Sequence, residues 1–303
     1  MAEILDPILE RLVPLLGELG SAPQPLLGGI TNRNYRVTLG GGDYVVRVTS
    51  PDTVFLEIDR AAEHAAALSA ARLGVGPEVA AFLADQESLV TRFIPGRPIS
   101  PEELRDSGTL AAVARAVRTF HDGPPIPGTF SPFRVVQSYA RTAEARGVPV
   151  PRDFRAASRI AGEIEDALQG EEHFPVPCHN DLLNANFIHD GTRARIVDWE
   201  YAGMGDRYFD LGNLSINNDL READDSLLLE HYFGGPGPDR RLACLRLMRI
   251  MSDFREAMWG VVQIAVSRIE FDYAAYAAKH FARLQESAAD ARYALWLRHA
   301  GAR

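Results

Sequence analysis

Apolar and polar positions run in strand-like segments from about Leu26 to Phe93 and with a helical period over most of the chain beyond. The first stretch reads as strand pairs around one helix: LLGGITNRNYRVTL, a GGD turn and YVVRVT, then a helical run, then AAFLA and SLVTRF on either side of a DQE turn. The helical run EIDRAAEHAAALSAARLG is rich in alanine, begins after Pro51 and Asp52, and stops at Gly74 and Gly76 ahead of Pro77. It predicts one amphipathic helix packed on a small sheet. IPGRPISPEEL, with three prolines and a glycine, then reads as a connection, so the chain divides near Pro95 into lobes of residues 1–95 and 96–303.

The second lobe is mainly helical: PEELRDSGTLAAVARAVRTFH, a proline-rich loop from Gly123 to Pro132, RDFRAASRIAGEIEDALQ, and a long helical tail from about Asp239 to Arg298. The exception is 178–201, CHNDLLNANFIHDGTRARIVDWEY, where two short apolar runs flank Asp190-Gly191, a strong hairpin signal. There is no internal repeat and no low-complexity tract.

Composition narrows the function classes. A length of 303 residues suits two lobes, and 46% hydrophobic with 24% charged residues is that of a folded protein in water. No apolar run reaches the roughly 18 residues that span a bilayer, and Glu3 and Asp6 stand where a signal peptide would be basic, so a cytoplasmic location without membrane insertion is expected. A net charge of -9 argues against nucleic-acid binding and tolerates a small cationic partner. The two cysteines, Cys178 and Cys244, have neither disulfide nor zinc spacing. Lys279 is the sole lysine, so any buried cation elsewhere must be Arg or His.

The hairpin carries the chemistry. If its strands pair symmetrically about Thr192, Asn186 and Asp198 face each other at the open end, two hard oxygen donors suited to Mg²⁺ beside phosphate oxygens. Asp181, five residues before Asn186, would accept a proton from a hydroxyl presented there. Asp and Asn are also common turn formers, but the full string H-x-D-x-x-x-x-N followed by a hairpin and a second Asp is far more specific. It resembles the catalytic segment of kinase-like small-molecule phosphotransferases. That resemblance implies Asp181 as catalytic base and Asn186 and Asp198 as Mg²⁺ ligands, with His179 bracing the loop and Cys178 a buried filler.

IVDWEYAGMGDRYFDLGN is similar to the region after the metal-binding Asp of choline and ethanolamine kinases, within the kinase-like aminoglycoside phosphotransferase superfamily. GGITNRNYRV resembles their phosphate-covering hairpin and WGVVQIAVSRIEFDYAAYAAKHF their C-terminal helical segment. The resemblance implies an α+β, two-lobed protein-kinase-like fold: a small antiparallel-sheet lobe with one main helix, a larger mainly helical lobe, ATP in the cleft, and VTRFIPG, with Arg92 and Phe93, as the hinge.

Gly28 and Gly29 permit close backbone approach, and Thr31, Asn32 and Asn34 offer donors to phosphate oxygens; a polar turn is the alternative, and the acidic hairpin downstream favours phosphate contact. The cation that such a site needs on the third strand falls to Arg47, with Glu63 on the next helix as partner. Tyr201, Trp259 and Tyr276 match the aromatic positions of the choline site in the resembling family, although on one unbroken helix Trp259 and Tyr276 would point about 100° apart. Asn217 stands where eukaryotic choline kinases typically carry an acidic residue, which bears on choline and not on the kinase reading. Asp210 is expected to hold the catalytic loop, while Glu200 and Asp206, close to Asp198 in sequence, are substrate candidates for binding the ammonium group or a second metal, solvated loop carboxylates being the commoner outcome.

These readings converge on an ATP- and Mg²⁺-dependent kinase of a small amino alcohol, choline or ethanolamine first. Its rivals are a kinase of another cationic acceptor (an aminoglycoside, thiamine or an amino sugar) and a catalytically silent nucleotide-binding module. Monomer and homodimer are equally compatible with the sequence.

Overall fold

The computed structural model describes residues 2–26, 32–170 and 173–302. Helix α1 (Ala2–Leu16) leads into strands β1 (Gln24–Leu26), β2 (Arg33–Leu39) and β3 (Gly42–Val48); α2 (Arg60–Arg72) then precedes β4 (Val79–Leu83) and β5 (Ser88–Arg92). The five strands form one antiparallel sheet in the order β1-β2-β3-β5-β4. Period-two alternation decides its two faces. Tyr44, Val46 and Val48 of β3 lie in one cluster with Tyr35, Val37 and Leu39 of β2, covered by Leu5, Ile8 and Leu12 of α1. The intervening Val45 and Arg47 line the cleft on the other face.

α1 is an addition to the expected single helix. The expected one is also shorter than its alanine-rich run. Residues Pro51–Leu56 first form a 3₁₀ turn, Glu57 takes a left-handed φ of 58°, and Asp59 then caps α2 by accepting from Ala61 N at 2.9 Å and Ala62 N at 3.0 Å. The alanine stripe Ala66, Ala67 and Ala70 packs with the larger hydrophobic cluster of the molecule.

Beyond Pro95, β6 (Arg97–Pro98) pairs with the acidic hairpin. The helical part comprises α3 (Pro101–Leu104), α4 (Ser107–His121), α5 (Pro132–Ala145), α6 (Phe154–Ala167), α7 (Arg207–Asn217), α8 (Glu222–Phe233), α9 (Asp239–Val266), α10 (Tyr273–Ala288) and α11 (Tyr293–Gly301). Between α6 and α7 lie the short strands β7 (Val176–Cys178), β8 (Phe187–His189), β9 (Ala194–Ile196) and β10 (Gly203–Gly205). The predicted helix after Pro101 splits because Asp106 caps a new start, accepting from Thr109 N at 2.9 Å. The predicted tail is three helices rather than one.

α9 is the axis of this part. From Ala243 to Gln263 it is buried almost all round, against α5, α7, α10 and α11. Apolar burial accounts for most of that surface, yet Asp253, Arg255 and Glu256 lie buried within it. Charges in such a position persist only when paired, and their partners locate the site.

Among the described residues no helix is long and apolar enough to cross a membrane.

Candidate active site

The loop between β7 and β8 is held from several sides. Asp210, in the first turn of α7, accepts from His179 N at 2.7 Å and from Asn180 N at 2.6 Å, and its own carboxylate is braced by His121 Nε2 at 3.0 Å. One helical turn on, Asn213 Oδ1 accepts from Leu182 N at 2.5 Å, and Asn218 Nδ2 donates to Leu182 O at 3.0 Å. The sequence reading found Asp210 but not these asparagines, although Asn213 follows Asp210 by three residues and so shares its helix face.

Burial pushes the His179 pKa down, so the ring is neutral. Its Nδ1 accepts from Asp181 N at 3.2 Å while Nε2 donates to Val197 O at 3.0 Å, tying the loop to the far strand of the hairpin. Cys178, fully buried, has its thiol pKa raised by desolvation and is inert filler.

The hairpin register differs from the symmetric expectation by one residue. Phe187 pairs with Ile196 and His189 with Ala194, so Asn186 stands opposite Val197, whose N–H donates to Asn186 O at 3.0 Å. Strand geometry alone would put Asp198 on the wrong face. The backbone corrects this: Asp198 takes a left-handed φ of 67°, a conformation that non-glycine residues adopt at a cost, and its side chain lines the same cavity as Asn186. Asn180, at φ 66°, is similarly turned.

That cavity, of about 300 Å³, lies between the cleft face of the sheet and the hairpin. Val45, Leu89, Ala67 and Ile188 give it apolar walls; Arg92, Phe93 and Ile94 lie along it, and Asn34, Arg47, Asn186 and Asp198 supply its polar groups. Asn186 Nδ2 donates to Asp181 O at 2.8 Å and stands 3.5 Å from Asp181 Oδ2, which leaves its Oδ1 to accept a cation. Asp198 Oδ1 takes a bond from Arg47 Nη1 at 2.9 Å and its carboxylate is one-third exposed. An amide oxygen and a part-open carboxylate at one cavity are hard donors that fit Mg²⁺ with phosphate oxygens.

Arg47 also pairs with Glu63 and lies 3.6 Å from Glu200 Oε2. Two partners escaped the sequence reading's notice in this role. Arg60 donates to Glu63 at 2.7 Å and to Glu200 at 3.1 Å, and Asn32 Nδ2 donates to Glu200 Oε2 at 2.7 Å. Glu200 is therefore a buried member of this ion cluster and not a ligand for an ammonium group. Asn32, expected on phosphate oxygens, has both amide atoms committed inward, its Oδ1 accepting from Arg60 Nη2 at 3.2 Å. Gly28, Gly29 and Thr31 lie outside the described residues. Asp206, the other weak substrate candidate, caps α7 by accepting from Tyr208 N at 2.8 Å and pairs with His173 Nδ1 at 2.6 Å, which removes it from the site.

On the other side of Asp181, α9 and α10 fold back on each other because the helix breaks between Val266 and Tyr273. Trp259 and Tyr276 thereby meet with ring centroids 5.6 Å apart at 67°, where one unbroken helix would have splayed them. Gly260 permits that approach: a Cβ there would stand 3.1 Å from Tyr276 Cδ1 and 3.2 Å from Tyr273 O. Trp259 Nε1 donates to Tyr201 Oη at 3.0 Å, so all three predicted aromatics gather. One face of Tyr201 is nevertheless covered by a residue that the sequence reading did not single out, Arg255, whose Cζ lies 4.3 Å from the ring centroid. Arg255 Nη1 donates to Asp181 Oδ1 at 3.2 Å and to Glu256 Oε1 at 2.6 Å, and Tyr276 Oη donates to Glu256 Oε2 at 2.7 Å. Burial, reinforced by the nearby carboxylates Glu256, Asp198 and Glu200 and opposed by Arg255, pushes the Asp181 pKa up to about 7.

Comparison with known proteins follows this geometry. The model of a phosphotransferase enzyme family matches residues 23–246. A crystal structure of a choline/ethanolamine kinase family protein from Mesorhizobium loti is 31% identical and superposes with a TM-score of 0.84 over 98% of this chain and 99% of that one. Probable choline kinase 1 of Arabidopsis thaliana is 26% identical over 293 residues, 85% of this chain and 84% of its own length. Protein LicA of Haemophilus influenzae is 27% identical over 217 residues, which cover 70% of this chain and 63% of LicA.

Proposed function

The chain belongs to the choline/ethanolamine kinase family of phosphotransferases, and from that premise we propose that it transfers the γ-phosphoryl group of ATP, with Mg²⁺, to the hydroxyl of a small amino alcohol. The observation that carries this reading is the convergence of Asn186, Asp198 and Arg47 on one cavity, with Asp181 bonded to Asn186. We assign residues 1–95 to the nucleotide side and 96–303 to the acceptor side.

The apolar walls of the cavity suit a purine base, with Phe93 and Ile94 along the hinge, while the Arg92 guanidinium, 4.7 Å over the ring of its cross-strand partner Tyr44, turns to the α1 side of the sheet and away from the cavity. Arg47 and Asn34 face the phosphate end. Mg²⁺, held by Asn186 and Asp198, would supply charge neutralisation on the phosphate oxygens. Asp181 accepts the acceptor's hydroxyl proton as the oxygen bonds to γ-phosphorus, and the bond from γ-phosphorus to the bridging oxygen breaks with its electron pair leaving on ADP. His179 and Asn186 clamp the Asp181 backbone while Asp210 holds the two residues before it, which keeps that carboxylate in place, and positioning supplies much of the rate.

A coupled ADP-release assay with ATP, Mg²⁺ and a panel of amino alcohols tests the reading, with thiamine, an amino sugar and an aminoglycoside as further acceptors. Acceptor-dependent turnover that is abolished in Asp181→Asn supports it. Mg·ATP binding with no turnover across the panel would leave the silent nucleotide-binding module standing instead.

A further inference from the structure

The bonds to His179 Nδ1 and from Asn186 Nδ2 fix the Asp181 backbone, but its carboxylate still turns about the side-chain bonds. A base works only from the right orientation, so that rotation needs a holder of its own. Among the described residues one side chain bonds the carboxylate at ordinary length. Arg255 Nη1 donates to Oδ1 at 3.2 Å, whereas Asn186 Nδ2 stands off at 3.5 Å from Oδ2. Oδ1 is thereby tied to α9, and Oδ2 is left on the side of Asn186, which lines the nucleotide cavity.

Arg255 is itself held fast. It is 1% exposed, its Nη1 also donates to Glu256 Oε1 at 2.6 Å, and its guanidinium lies over the Tyr201 ring. Glu256 is fixed in turn, its Oε2 accepting from Tyr276 Oη at 2.7 Å. Stability does not account for the arrangement. Nε and Nη2 are enclosed with no hydrogen-bond partner among the described residues, and a buried ion pair so incompletely bonded is matched or bettered by apolar side chains of similar volume. Folds keep such a local conflict where a site requires it.

We propose that Arg255 is a positioning residue for the phosphotransfer: it holds Oδ1 of Asp181 against α9 and so presents Oδ2 to the acceptor hydroxyl. The hydroxyl proton passes to Oδ2 while Oδ1 stays bonded to Arg255. This rests on the phosphotransfer reading above and adds to it a residue that acts through Asp181.

Arg255→Met alone strands the Glu256 charge in the core, so the substitution is made together with Glu256→Gln, which keeps an oxygen for Tyr276. Glu256→Gln by itself is the reference throughout, so that only Arg255 differs. Coupled ADP release with Mg·ATP and an amino alcohol should show kcat lowered by about tenfold to a hundredfold, with the KM for acceptor and for ATP within about threefold and the thermal midpoint level. Arg255→Lys, which keeps a cation near Oδ1, should recover part of the loss. In the Asp181→Asn background, followed with radiolabelled ATP, loss of Arg255 should cost less than about threefold more, because the group it orients is gone. An unchanged kcat, a loss that falls on the acceptor KM, or a full further loss on top of Asp181→Asn each overturns the proposal while phosphotransfer stands. So does a fall in activity matched by a fall in the thermal midpoint, which marks a structural role only. No turnover by the wild-type chain with any acceptor removes the phosphotransfer reading and the proposal with it.

Discussion

Two buried ion networks flank the cleft, and they are built for different ends. At the junction of sheet and hairpin, Arg47 and Arg60 meet Glu63, Glu200 and Asp198, with Asn32 bonded to both Glu200 and Arg60. Its members come from β3, α2 and the segment after β9, so it ties together the walls of the cavity. On the acceptor side, Arg255 meets Asp181 and Glu256 and stops there, with one edge of its guanidinium unpaired. The first is cross-linked among protein groups and acts as a lock. The second is smaller and joins the loop carboxylate Asp181 to α9. Removing one partner from a buried network strands the others, and the more members it has, the more are stranded.

Asp181→Asn should show the largest effect and lies wholly in the second network: turnover falls roughly a thousandfold or more, while the urea midpoint at neutral pH stays level or rises, because burial already disfavours the charged carboxylate. A large fall in stability would instead place Asp181 in the lock. Arg47→Met attacks the larger network, leaving Arg60 as the one cation between Glu63 and Glu200 and Asp198 without its partner. Equilibrium denaturation should show a loss of about 3–5 kcal/mol; an unchanged midpoint would mean that the junction network is not a lock. Gly260→Ala sharpens the contrast, since the added methyl pushes α10 away from α9 by a few tenths of an ångström. A stability cost of about 1–2 kcal/mol and a raised acceptor KM are expected, with the KM for ATP unmoved.

The smallest effect belongs to an exposed pair, Arg97 and Glu103, which serves as the reference for both buried networks. Glu103, held by Arg97 and by Ser100 N at the start of α3, has its pKa lowered to about 2 from an ordinary 4.5. A depressed carboxylate stabilises the fold fully above its unfolded value and loses that contribution as pH falls through about 2. Glu103→Gln should therefore shift the thermal midpoint less than Arg47→Met or Gly260→Ala at pH 7 and not at all below pH 2, and 1 M salt should erase most of the difference.

Much of this was legible in the chain. The run of Asp181, Asn186 and Asp198 is compact, so its chemistry survives in linear order, and the lack of lysine in the first lobe pointed to Arg47. The hairpin was legible, but its register was not: a turn centred on Gly191 and Thr192 differs by one residue from a turn centred on Thr192, and both satisfy the same apolar pattern. Arg60, Arg255 and Glu256 were missed because a charge on a helix carries no mark of burial. Glu200 and Asp206 were misplaced for the opposite reason, since nearness to Asp198 in sequence says nothing about where each side chain turns.

By itself the sequence determined most of the elements that form and the short segment that carries Asp181, Asn186 and Asp198, because these depend on local propensity, turn chemistry and spacing along a few residues. Only the tertiary structure decided that Asp198 turns into the cavity through a left-handed backbone, that α9 and α10 fold back to join Trp259 with Tyr276, and that Arg255 covers Tyr201. The physical reason is that burial and pairing of charges are properties of the packed whole. A side chain's partner is set by the elements that close around it, and those arrive from positions far apart in the chain.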